Sequence, residues 1–441
     1  MSEYRRLRAM FPDHLSIARG KYIPSHLAAN GASFCITNFA LTYDKDMYPT
    51  AVSRLLDGLP DMDLTYSMDD IRPSWHPNTD MVVGDVSFHG EPIQAAPRTV
   101  LKKAISDWKA LGYDIQLGLE TESFILQPTD EGAAGGRGWV EWDTPGAHVY
   151  GTGPFSDPLG LFDEIMETAY NVGLPVEAIN TEYDSPSWEV TLQHADALTA
   201  VDNIFYLKLM MREIAFKHGL RLTFLGKPFG DRGGAGFHVN MSLHKDGKNA
   251  FIDETKADGI SDLAKQCIAG QVEKHESMAL FCASTVNAYK RLQPAQLAGY
   301  WANWGYDHRG VTVRVPHARG AGTRIENRMP DGACSPYYAA AAVLQASRLG
   351  VINNYALPAY EKLDCLESQS TDRHVPNNLG EACDAAELDK EFAEAFSADS
   401  VEQFVAVKRY EWSKYTEAVS NWESKAGEIT QWEYDHYLQF L

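Results

Sequence analysis

Gly118-Leu119-Glu120-Thr121-Glu122-Ser123-Phe124-Ile125-Leu126 is the stretch from which the chain is best read. Its apolar and polar residues alternate as in a β-strand, so Glu120 and Glu122 point from one face, side by side. Two like charges placed this way destabilise a strand unless a cation lies between or above them. A divalent metal would resolve the repulsion, and a solvated strand face would also tolerate it.

The same kinds of residue recur downstream. Glu182 and Glu189 bracket Tyr183-Asp184-Ser185-Pro186-Ser187-Trp188, and Glu189 starts the strand-like Glu189-Val190-Thr191-Leu192. The loop between them can fold both carboxylates toward one point; ordinary surface acids are the alternative. Next, the glycine-rich Gly226–Gly236 runs into an alternating strand on which His238, Asn240 and Ser242 share a face. Glycines let a backbone approach a small ligand closely. The stretch satisfies neither Gly-x-x-x-x-Gly-Lys-Ser/Thr nor Gly-x-Gly-x-x-Gly, and a single strand histidine is as readily structural as ligating.

Arg291, in Asn287-Ala288-Tyr289-Lys290-Arg291-Leu292, opens a series completed by Arg309, Arg314, Arg324 and Arg328. A chain of net charge −21 has no general electrostatic need for this concentration. Either these are surface ion pairs or they form a pocket for several anionic groups, such as a polyphosphate and a carboxylate. Glu326 stands between Arg324 and Arg328 at strand spacing, so all three can face one site. Hard divalent ions prefer oxygen ligands and phosphate partners, and arginines neutralise a transferring phosphoryl group. Together the residues read as an ATP-using ligase or kinase with two or three metals.

Composition sets outer limits. At 441 residues, with 44% apolar and 22% charged content, the chain can bury a large core, and two domains of unequal size are expected. Its acidity argues against nucleic acid and anionic membrane as partners. No run approaches the ~18–20 apolar residues of a membrane span, and Met1-Ser2-Glu3-Tyr4-Arg5-Arg6 carries no apolar signal core. Six scattered cysteines read as reduced thiols, so a cytoplasmic location is expected. Residues 15 to about 97 read as a small sheet-rich domain. A helix is expected over Thr99–Leu111, a flexible loop over 131–138, a long helix over Ala195–His218 stopped at Gly219, and helices over 384–441.

In order and spacing these motifs resemble those of the glutamine synthetase family, most strongly over residues 80–350. The resemblance implies an α+β fold: a small N-terminal β-grasp-like domain (1–97) and a large catalytic domain (98–441) with a curved antiparallel sheet and helices. It implies transfer of the ATP γ-phosphate to the γ-carboxylate of L-glutamate, then displacement of phosphate by an amine, with two to three Mg²⁺ or Mn²⁺ per site. Glu120, His238 and Glu326 match ligands of the metal on the nucleotide side. Glu122, Glu182 and Glu189 match ligands of the metal near glutamate. Gly234 matches the loop glycine whose carbonyl holds the glutamate amino group. Arg291 and Arg328 match arginines that grip carboxylate or phosphoryl. Arg309, Arg314, Arg324 and Ser242 match nucleotide-side residues, and Tyr150 matches a tyrosine lining the ammonium pocket. A homo-oligomer, a dodecamer with active sites between subunits, is also implied.

The departures lie mainly on the amine side. Gly233 replaces a loop asparagine, Asn240 replaces the second histidine of a His-x-His strand, and Ser187 replaces a glutamine. Where ammonia-using members place a flap glutamate, this chain has Leu297, followed by Tyr300 and Trp301. The expected activity is therefore ligation of an organic, apolar primary amine to glutamate. Ordinary glutamine synthesis from ammonia and an inactive scaffold or sensor are the alternatives.

Overall fold

The computed structural model describes residues 4–129, 138–144, 146–425 and 427–441. Apart from Gly138, the loop expected at 131–138 lies outside them. Residues 6–92 form two small sheets. In one, Arg6–Pro12 runs antiparallel to Ala18–Pro24 and parallel to Thr79–Val83, with Arg72–Pro73 at the far edge. In the other, Ala32–Cys35, Asp61–Thr65, Asp85–Phe88 and Glu91–Pro92 are antiparallel neighbours. Strand alternation sorts their side chains. Leu7, Ala9 and Phe11 join a small core with Phe39, Met62, Leu64 and Val86. Met10, Met81 and Val83 belong to the main core of the chain. The small unit therefore has its own interior and is also packed onto the larger body.

The helix Pro97–Ala110 starts two residues before the sequence-based expectation, since proline fits a first turn whose N–H groups have no helical partner. It buries Val100, Leu101, Ala104 and Trp108. Arg98 reaches both ways, pairing with Asp85 at 2.5 Å and with Asp202 at 2.9 Å.

Among the described residues, an eleven-stranded sheet carries the rest. Its main path is Val176–Thr181, Ser187–Leu192, Asp114–Pro128, Phe237–Lys245, Ile325–Asn327, Val313–Val315 and Trp304–Tyr306, antiparallel except for the last pair. Helices Ala197–Lys217, Asp262–Glu273 and Pro336–Asn353 contribute heavily to the main core. The helix expected from Ala195 begins at Ala197. Ala195–Asp196 instead pairs with the long strand, and the Asp196 carboxylate caps the helix by accepting from Thr199 N at 3.2 Å. The C-terminal region is helical over Leu379–Leu388, Lys390–Phe396, Ala398–Ala418 and Gln431–Tyr437. This is the α+β arrangement that the resemblance implies: a small sheet unit followed by a larger sheet-and-helix body.

Candidate active site

Strand register brings the acids together. Across the long strand Asp114–Pro128, Glu122 lies opposite Glu189 on one side, and Glu120 lies opposite His238 on the other. Glu182 sits in the tight turn before Ser187–Leu192, its N–H donating to Ser187 O at 2.8 Å. Two groups of ligand atoms result, each lying within 4.8 Å of one another: Glu120, Glu189 and His238, and Glu122, Glu182 and Glu189. Glu189 belongs to both. Burial, then Glu120, Glu122 and Glu182, push its carboxyl up to about 8. Burial and Glu122 also raise Glu182. Oxygen donors with one imidazole, held so closely that they resist ionisation together, fit a pair of hard divalent cations.

Glu326 lies outside both of these close groups. It lies opposite Asn240 on one neighbouring strand and Arg314 on the other. Its carboxylate accepts from Arg314 Nη1 at 2.9 Å and Arg328 Nη1 at 2.6 Å. His238 Nδ1 is 3.7 Å away. Burial raises its pKa, but Arg328, His238 and Arg314 outweigh burial and hold it at about 2. Glu326 thus stands at the edge of the acidic cluster as an anion that carries two arginines. Glu120 is likewise lowered against burial by His238, and Asn240 donates to it at 2.9 Å.

The glycine-rich loop closes over this cluster. Gly236 N donates to Glu122 Oε2 at 2.6 Å. A Cβ on Gly234 would lie 2.6 Å from Gly226 O and 2.7 Å from Arg291 Cγ; one on Gly236 would lie 2.8 Å from Arg291 Nη2. Side chains at these positions would displace the arginine. Arg291 is buried and donates to the carbonyls of Met329 at 2.9 Å and Arg328 at 3.3 Å. Gly233 N donates to Asp184, a contact the sequence did not disclose.

On the other side of Glu120 a cavity of about 260 Å³ opens, and it brings together Asn240, Ser242 and Arg324, three of the residues that the resemblance implies for the nucleotide side. Gln116, Glu177, His194 and His244 also line it and were not anticipated. Arg324 Nε donates to Asn240 Oδ1 at 2.9 Å. Arg314 faces Glu326 instead, and exposed Arg309 acts at longer range by opposing the raised pKa of Glu189. A cavity of about 830 Å³ lies elsewhere, between the N-terminal unit and helix Ala398–Ala418, far from this chemistry.

The flap is held by its backbone. Gly299 lies against Met329 and Arg328, where a Cβ would come within 2.8 Å of Met329 N. Leu297 adopts φ 53° and is 43% exposed. Tyr300 stacks on His374 with ring centroids 5.0 Å apart, and Trp301 meets the same ring edge-on. Those two aromatics therefore support the flap from behind while Leu297 faces outward. Tyr150 is exposed, with its N–H bonded to Thr181 O beside Glu182.

Residues 94–426 match the family model described as glutamine synthetase, catalytic domain. Glutamine synthetase of Clostridium saccharobutylicum is 36% identical over 76% of this chain and 76% of its own. That of Pyrococcus furiosus is 30% identical over 99% and 97%. Among solved structures, ligand-free GmaS, a γ-glutamylmethylamide synthetase, superposes with a TM-score of 0.81 at 27% identity, covering 96% of each chain. A GmaS complex with ADP gives 0.82 with the same identity and coverage.

Proposed function

Because the chain belongs to the glutamine synthetase family, we propose that its ATP-dependent ligase chemistry joins an organic primary amine to the γ-carboxylate of glutamate. The observation that carries the amine reading is Leu297 at the flap position where ammonia-using members place a glutamate. Ammonium arrives as a cation and must lose a proton before it attacks, and a carboxylate serves both needs. Leucine serves neither, but it favours apolar surface at roughly 25 cal/mol per Å² buried. The likeness to GmaS supports the same reading.

In this reading Arg291 and Arg328 bind the glutamate carboxylate and the transferring phosphoryl group, and Gly234 O receives the glutamate amino group. Asn240, Ser242, Arg309, Arg314 and Arg324 serve the nucleotide side. Glu120, Glu122, Glu182, Glu189 and His238 would hold Mg²⁺ or Mn²⁺, with Glu326 beside them, and the bound ions supply charge neutralisation for phosphoryl transfer. A glutamate γ-carboxylate oxygen attacks the γ-phosphorus of ATP, and ADP leaves. The amine nitrogen then attacks the acyl carbon, the C–N bond forms, and the C–O bond breaks with its electron pair leaving on phosphate. The nitrogen loses its extra proton to solvent. Tyr150 and the flap border the amine. We further propose a cytoplasmic, twelve-subunit ring in which a neighbour's N-terminal unit, residues 1–97, covers that side. The exposure of Tyr150 and Tyr183 supports such a cover.

Comparing kcat/KM for ammonium, methylamine, isopropylamine, aniline and putrescine tests the proposal. An apolar amine should be preferred. Ammonium as the best substrate would overturn the amine reading, and putrescine as the best would overturn the apolar pocket.

A further inference from the structure

The C-terminal helix Gln431–Tyr437 lies outside the catalytic sheet, yet its first turn holds the two segments that build the glutamate end of the site. Glu433 is fully buried. One carboxylate oxygen accepts from Thr430 N at 2.7 Å and Thr430 Oγ1 at 2.9 Å, closing a capping box, and also from the Lys290 ammonium. The other accepts from Asn287 Nδ2 at 2.7 Å. Asn287 in turn holds both backbone groups of Lys227: its Oδ1 accepts from Lys227 N at 2.7 Å and its Nδ2 donates to Lys227 O at 2.8 Å. Lys227 begins the glycine-rich loop, and its own ammonium reaches the carbonyl of Arg232 at the far end. The neighbouring Tyr434 donates its hydroxyl to Pro228 O at 2.6 Å.

One carboxylate therefore touches the segment carrying Arg291 through Lys290 and Asn287, and the segment carrying Gly234 through Asn287 and Lys227. Those segments must keep a fixed separation. Gly234 and Gly236 already approach Arg291 so closely that neither has room for a Cβ. A shift of either by a fraction of an ångström would displace the guanidinium from the Met329 and Arg328 carbonyls. A buried carboxylate that accepts three hydrogen bonds from two residues, Thr430 and Asn287, besides pairing with the Lys290 ammonium is costly to perturb and defines one arrangement.

We propose that Glu433 is a positioning residue for substrate binding: it clamps Asn287–Arg291 against Lys227–Gly236 and so sets the spacing of the subsite that receives the glutamate α-amino and carboxylate groups. The clamp itself is independent of the reaction assigned to the site, while its kinetic consequence rests on the glutamate reading above.

Glu433→Gln and Tyr434→Phe test it in the full chain, by hydrogen exchange and by steady-state kinetics. Backbone amides of 226–236 and 286–291 should exchange about tenfold faster in Glu433→Gln, and several-fold faster in Tyr434→Phe, with helix Asp262–Glu273 unchanged. KM for glutamate should rise about tenfold in Glu433→Gln with KM for ATP within about twofold, because the nucleotide side is not clamped. A merely structural residue would lower kcat through the active fraction and leave KM for glutamate unchanged. Unaltered exchange of both segments in the folded variants would overturn the clamp. Should Glu433→Gln not fold, unaltered exchange in Tyr434→Phe would do the same. Altered exchange in a protein whose wild type does not turn over glutamate would instead overturn the functional reading and leave the clamp standing.

Discussion

At the scale of residues, the site is a balance between carboxylates that repel and cations that reconcile them. Glu189 bears the largest share, since Glu120, Glu122 and Glu182 all oppose its ionisation and burial withholds water. A proton occupies it at neutral pH until a dication replaces that proton. Mg²⁺ binding at pH 7 should therefore release close to one proton, and its affinity should tighten as pH rises toward about 8. Calorimetric titrations in buffers of different ionisation enthalpy measure this; a buffer-independent heat would refute it. Glu122→Ala and Glu326→Ala should each lower turnover by roughly 10²-fold or more, the first through the acidic cluster and the second because Arg314 and Arg328 lose the carboxylate they share. Near-normal turnover in both would remove them from the site. Period-two spacing made Glu120, Glu122, His238, Asn240 and Ser242 legible in the chain, and carrying it two residues before Gly118 and two beyond Ser242 would have reached Gln116 and His244. Glu177 and His194 were not legible, because only the pairing of distant strands brings them there. The dual membership of Glu189 likewise depends on its register against Glu122.

At the scale of elements, local signals placed the helices and tertiary contacts moved their ends. Pro97 and Asp196 each shifted an expected start by two residues, one by fitting a first turn and the other by capping while its own backbone joined a strand. What no local pattern announces is how closely two helices approach. Asp262–Glu273 and Pro336–Asn353 meet at Gly270 and Gly350, where a Cβ would lie 2.0 Å from Ala346 O and 2.1 Å from Gln266 O respectively. Both obstacles are backbone, so a methyl group can enter only if the helices separate, against a main core that is otherwise filled. Gly350→Ala gains helix propensity of about 1 kcal/mol but should still destabilise by about 1–3 kcal/mol net through overpacking. Urea unfolding midpoints would record this, and a midpoint at or above wild type would mean that the contact relaxes freely.

At the scale of the whole molecule, the N-terminal unit and the catalytic body share interior groups whose charge state pH controls. His14 is buried between Phe39 of the N-terminal unit and Phe404 of a C-terminal helix, its Nε2 donating to Leu41 O at 2.9 Å. His275 is buried under the flap, with Nε2 3.1 Å from Tyr300 O. Burial lowers each from 6.5 to about 4, outweighing the nearby Asp13 and Glu276 respectively. Between those values the unfolded chain binds protons that the folded chain does not, so stability falls as pH drops from about 6.5 to about 4. Asp331 acts in the opposite sense: burial raises it from 3.8 to about 6, so it adds stability as pH falls through that window. Each histidine is worth at most about 3 kcal/mol across its window and Asp331 a similar amount, so the histidines prevail by roughly the value of one. In saturating Mg²⁺, which keeps Glu189 ionised at neutral pH, the thermal midpoint should therefore fall steadily below pH 6.5. His275→Gln removes one titrating ring while keeping a donor for Tyr300 O, and should flatten that decline by about half of the two-histidine effect. A decline of equal steepness in wild type and variant would show that the acid sensitivity arises elsewhere in the fold.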